Sequence, residues 1–210
     1  MLLTNQQNNG LTEFTKMALS RRTAASLSEL IGCPVVVQVS GVSLYPLSRL
    51  ATELAESLPS QMATVHQLFT GSISGDSLFL LDYYYALMLT NLLQTDSLPK
   101  SDRLDASACD ILTEVGNLVL NAYLGMLSKM LQRPLSFSVP SFELELLSPL
   151  MDSLIVEKNE FRYALVVNTT FQLHNNSVNA HLSFVSGVVS LSCLIKAIET
   201  WASIAVPTVV

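Results

Sequence analysis

Along this chain apolar residues recur at helical spacing over two long stretches, about Leu11 to Ile31 and Asp105 to Leu131, and each stops just before a proline, Pro34 or Pro134. A proline lacks the N–H that would continue the ladder and its ring crowds the preceding turn, so both prolines mark helix ends. Strand-forming runs follow: Val35, Val36, Val37 and Val39 after the first, Leu135, Phe137 and Val139 after the second. Pro46 to Leu58 puts Leu47, Leu50, Leu54 and Leu58 on one helical face, and a shorter counterpart is expected after Leu147. Two hairpins are expected, Gln61 to Phe69 with Ser77 to Leu81 and Glu160 to Leu173 with Val178 to Phe184, bridged by Gly, Asn, Asp and Ser. Closing helices are expected near Asp82 to Leu93 and Val188 to Trp201.

The order repeats because the chain aligns with itself at an offset of one hundred residues. Leu27, Ser28, Leu30, Ile31 and Pro34 align with Leu127, Ser128, Met130, Leu131 and Pro134; Leu47, Ser48 and Leu50 align with Leu147, Ser148 and Leu150; the turn Gly75, Asp76, Ser77 aligns with Asn175, Asn176, Ser177. The expected organisation is a single domain over 1–210, with repeat one about 11–93, a polar proline-containing linker over 94–106 and repeat two about 107–201. Hairpins imply antiparallel pairing, and apolar closing helices need a sheet face to cover. The expected fold class is therefore α+β, with two pseudo-symmetric repeats sharing an antiparallel sheet flanked by helices.

Half the residues are hydrophobic and 13% are charged, a composition of packed rather than disordered chains. The formal charge of -6, without a basic run, provides no electrostatic footprint for nucleic acid or an anionic membrane surface. The apolar stretch from Tyr163 to Ile195 is interrupted too often by Asn, Gln and His to span a bilayer, and no secretory signal is visible; a soluble cytoplasmic protein is expected. Cys33, Cys109 and Cys193, odd in number and far apart, read as small buried hydrophobes. His66, His174 and His181 have no metal-ligand spacing and read as structural; no metal site is expected. Gly71 to Gly75 is a turn, since Ile73 stands where a nucleophile elbow needs serine. At least one of Tyr83, Tyr84 and Tyr85 must be exposed, and Lys16 with Arg21 and Arg22 makes a small basic spot, read as a solvated face.

Asp110, Glu114, Asn117 and Asn121 stand at spacings of four, three and four, which places all four on one face of the second long helix. A solvated stripe on an amphipathic helix would look the same. Chemically, though, a carboxylate and a carboxamide one turn apart can supply a charge anchor and a group able to position a water.

These residues also resemble a known family. Asp110, three residues, Glu114, two residues, Asn117, then twenty-two residues to Pro140, written DILTEVGNLVLNAYLGMLSKMLQRPLSFSVP, resembles the signature of the CheC, CheX and FliY chemotaxis phosphatases. TAASLSELIGCPVVV near Thr23 is similar to the family's first-repeat helix end, and ALVVNTTFQLHNNSVNAHLSFV to its closing hairpin. Two fused halves look most like CheC. The resemblance implies hydrolysis of the aspartyl phosphate of a CheY-like response regulator, with Glu114 contacting the receiver's lysine and Asn117 orienting the attacking water. Asp110 and Pro140 would then be supporting motif positions. It implies Mg²⁺ supplied by the receiver, no cofactor of the chain's own, and CheD as a further partner. At the same offset Glu114 falls on Phe14 and Asn117 on Met17, so the first site reads as degenerate, its residues serving as core, partner surface or neither. A non-catalytic binding module for a receiver or CheD is the competing expectation.

Overall fold

The computed structural model describes residues 3–19, 23–55, 61–94, 101–156, 162–173 and 175–205. The first long helix is two: α1 (Asn5–Ala18) and α2 (Ala24–Ile31). α1 begins earlier than the apolar pattern because Thr4 and Gln7 form a reciprocal capping box, at 3.2 and 2.8 Å. α2 ends on Gly32 in the left-handed region (φ 71), two residues before Pro34. β1 (Val35–Pro46) runs well past Val39, with a bulge between Val39 and Gly41, and leads into α3 (Leu47–Ala55). The hairpin of β2 (Gln61–Gly71) and β3 (Gly75–Asp82) follows, then α4 (Tyr83–Leu93), capped by Asp82 on the Tyr84 N–H at 2.7 Å.

The second half begins with α5 (Ala106–Leu131), capped by Asp105 on the Ala108 N–H at 2.9 Å. The strand after Pro134 is broken into β4 (Leu135–Phe137) and β5 (Ser141–Leu146). Val139, expected in a strand, is 89% exposed between them. α6 (Leu147–Val156), β6 (Arg162–Leu173), β7 (Asn176–Gly187) and α7 (Val188–Ala205) complete the order. Over the described residues α6 has ten residues and α3 nine, so the expected shortening is not seen there. Leu58, His174, Arg21, Arg22 and residues 95–100 of the expected linker lie outside the described residues.

The seven strands among the described residues form one antiparallel sheet in the order β1-β6-β7-β3-β2-β4, with β5 beside β4 on β2. The fold class is α+β with two pseudo-symmetric repeats. Phe79 opposite Leu182 lies at the pseudo-twofold, with the pairs Leu78–Ser183 and Leu80–His181 flanking it symmetrically. The hundred-residue offset therefore holds at the helix ends and drifts in the hairpins, whose turns differ in length. Local patterning also gave no sign that the halves exchange their first strands, β1 joining β6 and β5 joining β2.

Alternation along the strands divides the core in two. Phe79 and Leu81 face the cluster under α1 and α5, while Leu78 and Leu80 face a smaller cluster with Leu50, Leu150 and Leu154 from α3 and α6. Beside that second cluster, buried Asp76 takes an ion pair from buried Arg162 and a 3.1 Å contact from His66. Burial alone would push the Asp76 carboxyl up; hydrogen bonds from His66 and Arg162, and their charges, outweigh it and hold the group below its ordinary value. Arg162 also donates to the Leu154 carbonyl at 2.9 Å, tying α6 to the sheet.

The cysteines are free, but not the small buried hydrophobes expected: Cys193 on α7 is exposed, Cys109 on α5 is half-buried, and Cys33 is half-buried in the turn between α2 and β1. Tyr84 is the exposed tyrosine of its run, at 63%. No helix among the described residues is long and apolar enough to cross a membrane.

Candidate functional site

α5 is set into the molecule by one face. Leu112, Val115, Val119, Leu120, Tyr123, Leu124 and Leu127 are buried, as is Gly116, whose missing side chain lets the helix lie close on Val65 of β2. Tyr123 sits at the crossing with α1, stacked on Phe184 at 4.4 Å, its hydroxyl 3.3 Å from that of Thr15. Complete burial pushes the Tyr123 phenol up to about 12, so it stays protonated and anchors α5 without titrating.

The opposite face carries the sequence motif. Asp110 and Glu114 are exposed, and Asn117 and Asn121 are half-buried. Asn121 Nδ2 donates to Asn117 Oδ1 at 2.6 Å, and Asn121 Oδ1 is buried without a hydrogen-bond partner. Turning both carboxamides over would keep the pair with donor and acceptor exchanged, so the braced Asn117 can present either Nδ2 or Oδ1 outward. Sequence spacing placed Asn121 in the stripe but not its role as a brace. Pro140 stands immediately before β5. Nearby, Ser138 holds the chain on β2, its N–H donating to Leu68 O and its hydroxyl accepting from Leu68 N–H, each at 3.0 Å.

The first repeat needs correcting. Leu11, Phe14, Thr15, Ala18 and Leu19 are buried in the α1 stretch, and they match Leu112, Val115, Gly116, Val119 and Leu120 of α5, while buried Gly10 falls on half-buried Ile111. The two N-caps, Thr4 and Asp105, match in the same register. The break between α1 and α2 thus absorbs one residue. The position equivalent to Glu114 is Glu13, and that equivalent to Asn117 is Lys16. Phe14 is not a degenerate site residue but core, edge-on to Tyr123 at 6.1 Å and to Trp201 at 5.5 Å; Met17 is 40% exposed beside it. Glu13 is paired with Lys16 at 2.9 Å, so its charge is engaged within its own helix.

Of the histidines described, His66 serves Asp76, and His181 Nδ1 meets Asn168 Oδ1 at 2.8 Å, with burial pushing its ring below the ordinary value. Among the described residues no group of three or more His, Cys, Asp or Glu is arranged to hold a metal ion.

No family model matches the sequence, and neither does any curated protein. Solved structures do match by fold. FliY from Thermotoga maritima superposes with a TM-score of 0.74 at 16% identity, over 95% of this chain and 99% of that one. FliM from H. pylori, solved in complex with SpeE, gives 0.68 at 14% identity, over 95% and 97%. CheX from Vibrio vulnificus gives 0.51 at 11% identity, over 83% and 98%. At these identities the likeness is one of architecture, and this chain has the fold shared by FliY, FliM and CheX chemotaxis proteins.

Proposed function

We propose that the α5 face docks a CheY-like receiver domain and hydrolyses its aspartyl phosphate, in the cytoplasm where such signalling runs. The observation that carries this reading is the exposed Glu114 beside a braced Asn117 on a helix fixed to the sheet, within a fold shared with CheX and FliY. Glu114 would meet a lysine of the receiver, holding the two proteins in register. Asn117 would hold a water in line with the phosphorus; as the water oxygen bonds to phosphorus, the bond to the aspartate oxygen breaks, releasing phosphate and a free carboxylate. Phosphoryl transfer asks mainly for positioning and charge neutralisation, which suits a site without a nucleophile of its own. The Mg²⁺ would be the receiver's, since this chain's described residues offer no ligand set. Asp110 and Pro140 would act on position, Asp110 as a charge one turn before Glu114 and Pro140 at the start of β5.

The test is decay of a phosphorylated CheY-like receiver with and without the protein, over a range of concentrations. Asn117→Ala should lower turnover roughly a hundredfold while leaving affinity for a receiver carrying a stable phosphate mimic nearly intact. Full turnover in that variant would refute the water-positioning role.

A second reading is a binding module that holds a receiver, or a partner such as CheD, without turnover. Its support is the likeness to FliM, which in H. pylori was solved bound to SpeE, and the Lys16–Glu13 pair, which shows that one half has no carboxamide at the equivalent position. Unchanged receiver decay with measurable binding would select it.

A further inference from the structure

Beside Glu114 the surface dips into a groove of about 320 Å³, lined by Leu30 at the end of α2, Leu93 at the end of α4, and Ile111, Asp110 and Glu114 of α5. The floor is apolar and the rim carries two carboxylates. Leu30 is half exposed. Among the described residues neither Asp110 nor Glu114 is paired with a lysine or arginine. The negative field at this end of α5 is felt next door, where burial and the Asp105 and Asp110 charges push the Cys109 thiol up.

In the other half the corresponding surface of α1 is closely covered. In the corrected register the counterpart of Ile111 is Gly10, and a Cβ there would stand 3.3 Å from both Ala202 and Ile198. α7, at 18 residues, lies tightly along α1, whereas α4 has 11. The groove thus lies in the half that holds the Glu114–Asn117 pair.

We propose that this groove seats an aliphatic or aromatic side chain of the partner protein, carried beside a lysine or arginine that meets Asp110 and Glu114. The epitope recognised is therefore basic and apolar together; this deepens the docking reading above and rests on it for the identity of the partner. An apolar ligand alone would leave both carboxylates unmatched. A second copy of this chain is disfavoured as occupant by mutual repulsion at a net charge of -6.

Two probes test it on the full chain. The first is n-hexylammonium, an alkyl chain with a cationic head, followed by methyl NMR; hexanoate is its charge-reversed control. Shifts at Leu30 and Ile111 with hexylammonium but not hexanoate are expected, weakened in Leu30→Asn. The second is a CheY-like receiver carrying a stable phosphate mimic. Leu30→Asn and Ile111→Asn should weaken its binding roughly tenfold, the scale of losing one apolar contact in a pocket, while turnover at saturating receiver stays near wild type. If the receiver does not bind but hexylammonium shifts the groove, the groove proposal stands and the receiver reading fails. If the receiver binds and neither probe responds to the two variants, the groove proposal is overturned and the receiver reading survives. Self-association lost in Leu30→Asn, or a melting point lowered by several degrees without change in binding, would also overturn it, by assigning the groove to a second copy or to internal packing.

Discussion

Gly116 lies between Glu114 and Asn117, and a Cβ built on it would stand 2.6 Å from Val65 Cβ and 2.7 and 2.8 Å from its two methyl groups. Carbon atoms rest about 3.5–4.0 Å apart, so Gly116→Ala requires α5 to lift from β2 by about 1 Å, or Val65 to retreat. Val65 is 1% exposed, branched at Cβ and in the middle of a strand, and has no rotamer that removes the clash. Overpacking of this kind costs about 1–3 kcal/mol, offset by about 1 kcal/mol for replacing a helical glycine with alanine. Gly125 supplies the control, since it lies on the same helix with nothing within 4 Å of its Cβ position. Gly125→Ala should gain the propensity alone. In a domain of this size 1 kcal/mol moves the Tm by about 2–4 °C. Thermal melts should therefore place Gly125→Ala a few degrees above wild type and Gly116→Ala a few degrees below. The double variant Gly116→Ala with Val65→Ala should recover less than full stability, because alanine removes the two methyl contacts but keeps the Cβ at 2.6 Å, and a core valine is lost as well. Because the lifted helix carries Asn117, receiver dephosphorylation by Gly116→Ala should also fall at temperatures where the protein is fully folded. A Gly116→Ala melt at or above wild type would refute the claim that close packing sets the height of the site.

Arg162→Ala leaves the buried Asp76 carboxylate without its main partner and should cost about 3–5 kcal/mol in denaturant unfolding. Asp76 titrates below its ordinary value when folded, so its contribution is complete above the unfolded value near 4 and is lost as pH falls through the folded one; Asp76→Asn should flatten the fall in stability below about pH 4. Phe14→Ala should lower stability by about 3–5 kcal/mol, whereas Met17→Ala, at an exposed position, should melt within a degree or two of wild type; equal melts would return Phe14 to the surface. Gln132 ends α5 in the left-handed region (φ 54), where the first half has Gly32, so Gln132→Gly should raise stability by about 1 kcal/mol in the same assay. Glu114→Lys should weaken receiver binding more than it lowers saturated turnover, the reverse of Asn117→Ala, and equal effects on both would dissolve the division of roles.

The repeat was legible because helix ends are written locally: Pro34 and Pro134, with the leucines before them, stand at matching positions whatever the rest of the chain does. The stripe on α5 was legible for the same reason, as spacing on an unbroken helix fixes a face. Register in the first repeat was not. One residue absorbed between Leu19 and Leu27 turned the reading of α1 by about a third of a turn, exchanging exposed Glu13 for buried Phe14, and the burial pattern and the matching N-caps show it. β5 did carry a signal, the alternation of Phe142, Leu144 and Leu146 with Glu143 and Glu145, but a short run leading directly into a helix is easily passed over. The start of α1 was missed because its capping box precedes any apolar residue of the pattern. The groove beside Glu114 is lined from α2, α4 and α5 together, and no spacing within α5 contains that information.

The exchange of first strands bears on how the molecule is made. A ribosome delivers β1 long before β6, and the Ser40 hydroxyl must wait for the Asn168 carbonyl it binds, 128 residues later in synthesis. Until then β1 has no ladder, and the β2–β3 hairpin lacks both outer neighbours, β5 on one side and β7 on the other. The nascent first half is therefore a set of open edges, the kind of intermediate that chaperones hold and that a sister chain could complete by mistake. Cut at the junction, the two halves should behave as complementing fragments, each insoluble or unfolded when made alone and each rescued by the other when made together.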